Sequence, residues 1–342
     1  MVSPADLAVP VVAAPMAGGP STPALVAAVT DAGGLGFLAA GNQTVDAVRD
    51  QIAVTRTLTT GAFGANLFVP ELREDDASHR EIKRVEAYRE SLAAWADEFG
   101  VELPLPHPDD DAWDAKLDLL EADPVAVVSF TFGIPSSKVV HRLQRVGTSV
   151  WASVTSVADA VVAASSGVDA LVVQGTQAGG HRATSHCIDM ANEASTIALV
   201  AAVRWVVDLP VIAAGGVMDS DGLHDAIMAG ATAVQCGTAF LLTPEAGTSA
   251  VLRAALVDDE FTETVVTRSF TGRLARGLAN RWTTEFPDAP AFYPAVHQVT
   301  APLRAAAAEA GDAQRVHLWA GTGWRQARAA PAADVVRFLA GH

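Results

Sequence analysis

Residues 211–240 read VIAAGGVMDSDGLHDAIMAGATAVQCGTAF. Four apolar residues, Val211 to Ala214, run into Gly215-Gly216; a segment of helical period, Ser220 to Ala229, follows; a second apolar run, Ala233 to Cys236, ends in Gly237-Thr238. Apolar runs without polar alternation suit strands covered on both faces, and one helix between two such strands is the crossover that parallel neighbours need. The stretch therefore predicts one βα unit of a parallel sheet and the strand after it.

Outward from this unit the pattern repeats. Strands are predicted at Val9 to Ala14, Leu35 to Ala39, Ala62 to Phe68, Val125 to Phe130, Ser149 to Val154 and Ala170 to Val173, ahead of the two above. Helices are predicted at Pro23 to Ala32, Val45 to Thr57, Ser137 to Val146, Val157 to Ser166 and Ala194 to Val206. Eight strands with helical crossovers predict an α/β chain closed into a (β/α)8 barrel, with an open doubly wound sheet as the alternative. Two segments break the rhythm. Residues 71–123 turn charged: REDDASHREIKRVEAYRE predicts an exposed helix, and PLPHPDDD a loop before another short helix, together an insertion after strand three. Residues 257–323 carry TRSFTGRLARGLANRW and FPDAPAFYPAVHQ, then a short Ala-rich helix. They predict a lid or small substrate segment, in which Arg268 to Arg281 either folds over the mouth or forms a solvated amphipathic helix. The expected division is a barrel over 1–256, a lid over 257–323, and a tail over 324–342 whose helix, Ala332 to Leu339, returns to the barrel.

Composition narrows the function. Among 342 residues, 23 Lys plus Arg against 39 Asp plus Glu give a net charge of −16, which disfavours nucleic acid or an anionic membrane as partner. No apolar run approaches the ~18 residues of a membrane span. The start, MVSPADLAVPVV, lacks a basic region before an apolar stretch, so a cytoplasmic location is expected, as monomer or homodimer. Cys187 and Cys236 have neither disulfide nor zinc spacing and read as ordinary thiols.

Polar and Gly-rich sequence gathers at the carboxyl ends of the strands: PMAGGPSTP after strand one, Asn66 after three, Thr131 and Gly133 after four, QGTQAGGHR after six, then Gly215-Gly216 and Gly237-Thr238. In such barrels that face holds the active site, and the loops after strands seven and eight commonly take a phosphate on bare backbone amides. This points to a phosphorylated cofactor such as FMN, or to a sugar phosphate. His181, just beyond strand six on what reads as a flexible loop, is the leading catalytic residue, since an imidazole titrates near working pH. A metal site with His186 and Cys187 is not expected, because no further ligand stands at ligand spacing. The chain holds three lysines, Lys83, Lys116 and Lys138, and none sits at a strand end, which argues against a Schiff-base aldolase. A mouth without charged catalytic groups makes sense where a cofactor carries the reaction.

The segments APMAGGPSTPALVAAVTDAGGLGFLAAG, GANLFVP, VVSFTFGIP, SGVDALVVQGTQAGGHR, VIAAGGVMDSDGLHDAIMAGATAVQCGTAFLLTPE and FTGRLARGLANR together resemble the nitronate monooxygenase family, formerly called 2-nitropropane dioxygenases. The resemblance implies an FMN-containing TIM barrel that oxidises alkyl nitronates such as propionate 3-nitronate with O2, without a nicotinamide cofactor. It places flavin contacts at Met16, Asn66, Gln174, Gly179, Gly216, Gln235, Cys236, Gly237 and Thr238, beside the Gly180 and Gly215 of the same loops. It places the active-site histidine at His181 and a pocket tyrosine at Tyr293. Thr131 stands where some members carry His, Gln177 where many carry Glu, and Ala301 where some carry Lys, which changes the pocket's polar groups. The rival readings are an NAD(P)H-dependent reductase of quinones or enoyl thioesters on the same barrel, a non-redox lyase or isomerase binding a sugar phosphate, and a non-catalytic FMN-binding protein.

Overall fold

Ala233–Cys236 lies between two parallel neighbours, and from that strand the whole ring can be followed in the computed structural model, which describes residues 1–71, 76–190 and 192–342. The strands are β1 Val11–Ala13, β2 Phe37–Ala39, β3 Gly64–Phe68, β4 Val127–Thr131, β5 Ser149–Val154, β6 Ala170–Gln174, β7 Gly180–His181, β8 Val211–Ala214, β9 Ala233–Cys236, β10 Thr264–Thr267 and β11 Ala275–Leu278. The eight-stranded parallel sheet has the order β1-β9-β8-β6-β5-β4-β3-β2. A parallel bridge between Val12 and Leu35 joins its two ends, with Leu35 N donating to Val11 O at 3.0 Å and Ala13 N to Leu35 O at 2.9 Å. The sheet is thus a barrel, not an open doubly wound sheet.

Alternation within each strand divides the core in two. Val12, Phe37, Val127, Trp151, Val172 and Ile212 fill the barrel interior, where the Phe37 and Trp151 rings lie 5.5 Å apart. Their neighbours Val11, Leu38, Val128 and Val150 face the surrounding helices. Those helices are α1 Pro23–Asp31 and α2 Val45–Leu58; α3 Asp76–Ser91, α4 Ala93–Phe99 and α5 Trp113–Ala122; α6 Ser137–Gln144, α7 Val157–Ser166, α8 Thr196–Arg204 and α9 Ser220–Met228; then α10 Ala250–Ala255, α11 Arg281–Glu285, α12 Ala295–Glu309 and α13 Ala332–Leu339. Side-chain caps start the barrel helices: Thr22, Thr44, Ser136, Ser156, Ser195 and Asp219 each accept from an amide two or three residues into the helix, satisfying donors that the first turn leaves open. The tail helix α13 buries Ala332, Val335, Val336 and Leu339 in the outer barrel core.

Three expectations need correction. Residues 73–75 of the predicted exposed helix lie outside the described residues, and the rest, α3, is not simply exposed. Val85, Tyr88 and Leu92 recur at helical spacing and are buried with Trp95 against Phe270, Trp282, Val296 and Leu303. The charge density of the other face concealed that stripe. Arg268 to Arg281 is no helix: β10 and β11 pair antiparallel, Thr264 opposite Leu278, and β11 continues onto β7 with Ala275 opposite His181. Gly272 in the connection has φ +85°, where a methyl would lie 2.6 Å from Phe292 O. Nor is His181 on a free loop, since it belongs to this three-stranded sheet over the mouth.

The tightness of the ring is testable at Gly36. A methyl there would stand 2.5 Å from Val26 O, a backbone atom of α1 that cannot swing aside. Gly36→Ala is expected to destabilise the chain by about 1–3 kcal/mol, read as a lower urea midpoint; an unchanged midpoint would show that α1 is not seated as described.

Candidate active site

A cavity of about 450 Å³ opens at the carboxyl ends of the barrel strands, in the range of small-molecule sites. Of the residues expected in the site, Met16, Asn66, Thr131, Gln174, Gly179, Gly180, His181, Gly215, Gly216, Gln235, Cys236, Gly237 and Thr238 all line it. Its glycine corner is made by β8 and β9. Gly215 and Gly216 have φ +111° and +80°, and a methyl on Gly215 would meet Ala178 N at 2.7 Å. Glycine is therefore required at Gly215 by contact as well as by conformation. Among the described residues the amides of Gly216, Gly237 and Thr238 donate to no protein acceptor, and the buried Oε1 of Gln235 has no hydrogen-bond partner. Gly179 plays another part. A methyl on it would stand 2.4 Å from Gly321 N and 2.5 Å from the carbonyl carbon of Ala320, while Gly321 N donates to Thr238 Oγ1 at 2.9 Å.

Polar side chains around this corner are fixed by one another. Asn66 Nδ2 donates to Ser129 Oγ at 2.9 Å and to Thr131 Oγ1 at 3.0 Å, so Thr131 serves to orient Asn66. Gln174 spends its amide on the loop that follows: Nε2 donates to His181 O at 3.0 Å, and Oε1 accepts from Ala183 N at 3.0 Å. Gln177 is not a pocket group. Its Oε1 accepts from Thr196 N at 2.8 Å at the start of α8, a helix end that suits an amide oxygen or a carboxylate.

His181 Nε2 stands 2.9 Å from Thr271 Oγ1, in the connection between β10 and β11. Its ring meets Phe132 edge-on at 5.5 Å and Trp319 at 5.5 Å. Phe132 has φ +73°, unfavourable for a bulky side chain, and the guanidinium of Arg273 lies 4.2 Å over its ring. Enclosure, then the charges of Arg273 and Arg304, push the His181 imidazole down to about 3, so it is neutral near pH 7. Arg273, buried, pairs with Glu71 at 3.1 Å, which ties the β10–β11 connection to the segment after β3. Tyr293 stands behind the wall, with its hydroxyl donating to Asn42 Oδ1 at 2.7 Å and its ring 6.4 Å from that of His181. The thiols of Cys236 and Cys187 are pushed up by burial, to about 12 and about 11, and remain protonated.

Apart from Ala301, the sequence reading missed the wall supplied by α12 and the segment after it. His297, Ala301 and Arg304 line the cavity from α12, and His317 and Trp319 from that segment. The spacing of His297 and Arg304, two helical turns apart in what reads as a plain Ala-rich helix, was the available signal. Burial, and then Arg304, depress His297 to about 3, and His317 lies well below its ordinary value for the same reasons. Among the described residues no group of three or more His, Cys, Asp or Glu side chains is placed to hold a metal, and no helix is long and apolar enough to cross a membrane.

Fold and site define a parallel-barrel enzyme with a cavity at the carboxyl ends of its strands, lined by open main-chain amides and by the imidazole of His181. The nitronate monooxygenase family model matches residues 4–341, so the chain belongs to that family, a family of flavin-dependent oxidoreductases. A probable nitronate monooxygenase of Staphylococcus aureus (strain Newman) is 37% identical over 339 residues, covering 96% of this chain and 92% of the relative. The crystal structure of a nitroalkane oxidase from Streptomyces ansochromogenes superposes with a TM-score of 0.92 at 45% identity, covering 99% of this chain and 96% of that one. FabK from Thermotoga maritima is more distant, with a TM-score of 0.73 at 26% identity over 97% of this chain and 92% of its own.

The neutral imidazoles carry a pH signature. In the unfolded chain each takes up a proton near 6.5, whereas the folded chain holds His181 and His297 neutral down to about 3. The unfolded state therefore binds more protons between those limits, and stability must fall as pH drops through that window. The urea midpoint is expected to decline from pH 7 to pH 4.5, and His297→Asn to make that decline shallower; identical slopes in the two proteins would contradict the assignment.

Proposed function

We propose that the chain is an FMN-dependent nitronate monooxygenase, converting alkyl nitronates and O2 to carbonyl compounds and a nitrogen oxide anion without NAD(P)H. The observation that carries this reading is the union, in one cavity, of the unpaired amides at Gly216, Gly237 and Thr238 with the neutral His181. The residues fit FMN. Bare amides suit a phosphoryl group that no lysine is present to bind, and the partnerless Gln235 Oε1 and the fixed Asn66 suit the polar edge of a ring system. Met16 flanks Gly237, whose Cβ position is 3.5 Å from Met16 Sδ, and closes the corner with apolar surface. In this reading residues 1–256 carry the cofactor, 257–323 cover it, and 324–342 return to the barrel.

When bound, FMN supplies the oxidising equivalents that the side chains of this mouth lack. The protein's own part is to bind and orient an anion. The 2.9 Å contact between Nε2 and Thr271 Oγ1 holds the ring at the cavity, and in the tautomer that carries its proton on Nδ1 the imidazole donates to a nitronate oxygen. A neutral imidazole does this without exchanging a proton with the substrate, which is already deprotonated. Arg273 and Arg304 add positive potential around it. Phe132 and Trp319 wall the imidazole from water, which strengthens each of these interactions. The cavity's support for a small substrate plus cofactor lies in its size and its largely apolar lining.

Anaerobic mixing tests the reading against the reductase. The yellow protein is expected to bleach with ethyl nitronate and not with NADH or NADPH, and His181→Asn to bleach about 100-fold more slowly at equal flavin content. Rapid bleaching by a nicotinamide and none by nitronate would replace the monooxygenase by a reductase.

A further inference from the structure

The polar groups described so far occupy only part of the cavity. Helix α12 lines it with His297, Ala301, Arg304, Ala305 and Ala308, whose spacing puts them on one helix face. At a rise of about 1.5 Å per residue, the stretch from His297 to Ala308 runs about 16 Å along the helix. His297 marks the reacting end, since its ring is 5.9 Å from that of Tyr293, which is itself 6.4 Å from that of His181. Ala308 marks the other end. It packs with Leu241, Leu252 and Val316, and all three of these line the cavity as well. Met16 packs with the same group and also flanks Gly237, so this apolar arm meets the glycine corner there.

The walls of the arm are alkyl groups. Arg304 makes its hydrogen bonds to Thr300 and His297, which lie nearer the start of α12, and to His317. The hydroxyl of Ser249, at the exposed rim, accepts from Leu252 N at 3.3 Å as the cap of α10. An anion that entered the arm would give up its water for no partner, which is strongly unfavourable. Dioxygen has no hydrogen bonds to lose. A hydrocarbon tail is apolar too, but the arm is not closed behind it: Gly18, Ser249 and Ala305, which line the cavity, are exposed, so a chain lying there would end in water. A passage open at both ends suits a small molecule in transit. We infer that this arm is the route by which O2 reaches the reacting group while the nitronate holds its place beside His181, and that the small side chains of Ala305 and Ala308 set its width. The inference rests on the nitronate reading for O2 as co-substrate.

Two variants obstruct the route at different depths. Ala308→Leu fills the arm with a residue that helices accept well, and Ala305→Phe narrows the exposed rim. In the holoenzyme both are expected to lower kcat/KM for O2 about 10-fold at saturating ethyl nitronate, while anaerobic bleaching by ethyl nitronate stays within about twofold of the wild-type rate. A general loosening of the fold would not sort the two half-reactions in this way. Xenon reads the arm without turnover, because dry apolar cavities admit it. Wild-type crystals under xenon should hold the gas beside Leu252 and Val316, and Ala308→Leu crystals should not. Unchanged O2 dependence in the variants overturns the inference, as does an arm that takes no xenon. Slower bleaching by ethyl nitronate with O2 dependence intact would make the arm a substrate site and overturns it equally. A wild type that does not bleach with nitronate fails the underlying reading; one that bleaches while its O2 dependence ignores the variants fails this inference alone. Should Ala308→Leu not fold, Ala305→Phe and the xenon measurement on the wild type decide.

Discussion

The architecture of the mouth depends on a close backbone approach at the ends of β8 and β9. Gly215 abuts Ala178, Gly179 abuts Ala320 and Gly321, and Thr238 accepts from Gly321 N. Three distant parts of the chain meet there through glycines at close backbone approach, which leaves main-chain groups exposed at the corner. That contact also joins the segment after α12 to the barrel. The amides of Gly216, Gly237 and Thr238 are thus open to the cavity because of the packing that surrounds them, and no separate binding motif is needed to make them so.

The covering sheet follows from the same joint. After β6 the chain does not pass directly into a crossover helix; beyond Gly179 it forms β7, which pairs with β11. This fixes His181 by its backbone, Gln174 holds its carbonyl, and Thr271 holds its ring. In a chain with net charge −16 the mouth nonetheless carries a lining cation, Arg304. Glu71 is spent on Arg273, and the ion pair binds the segment after β3 to the cover. The result is a neutral donor imidazole in a positive field, which suits an anionic substrate better than a proton-transfer role.

The barrel was legible in the sequence because its signals are local. Apolar runs such as ALVVQ and segments of helical period such as Val157 to Ser166 mark their elements without reference to the rest of the chain. The glycine loops and His181 were legible because a strand end in a barrel has a known direction. What was not legible depends on contacts between remote residues. The pairing of Ala275 with His181, the burial of Tyr88 under Trp282, and the seating of Arg304 between His297 and His317 join positions that no periodicity connects. Gln177 shows the converse: its place beside the glycines suggested a pocket group, and the start of α8 claimed it.

The cofactor content of the purified protein tests the central claim most directly. One FMN per chain, identified by its visible spectrum and by the mass of the extracted flavin, is predicted for the wild type. Gly216→Val, whose branched side chain would crowd Gln177 from a Cβ position 3.0 Å away and fill the corner, should lose most of it while keeping its fold by circular dichroism. A colourless wild type, or a Gly216→Val protein that retains FMN with undiminished affinity, would contradict the account.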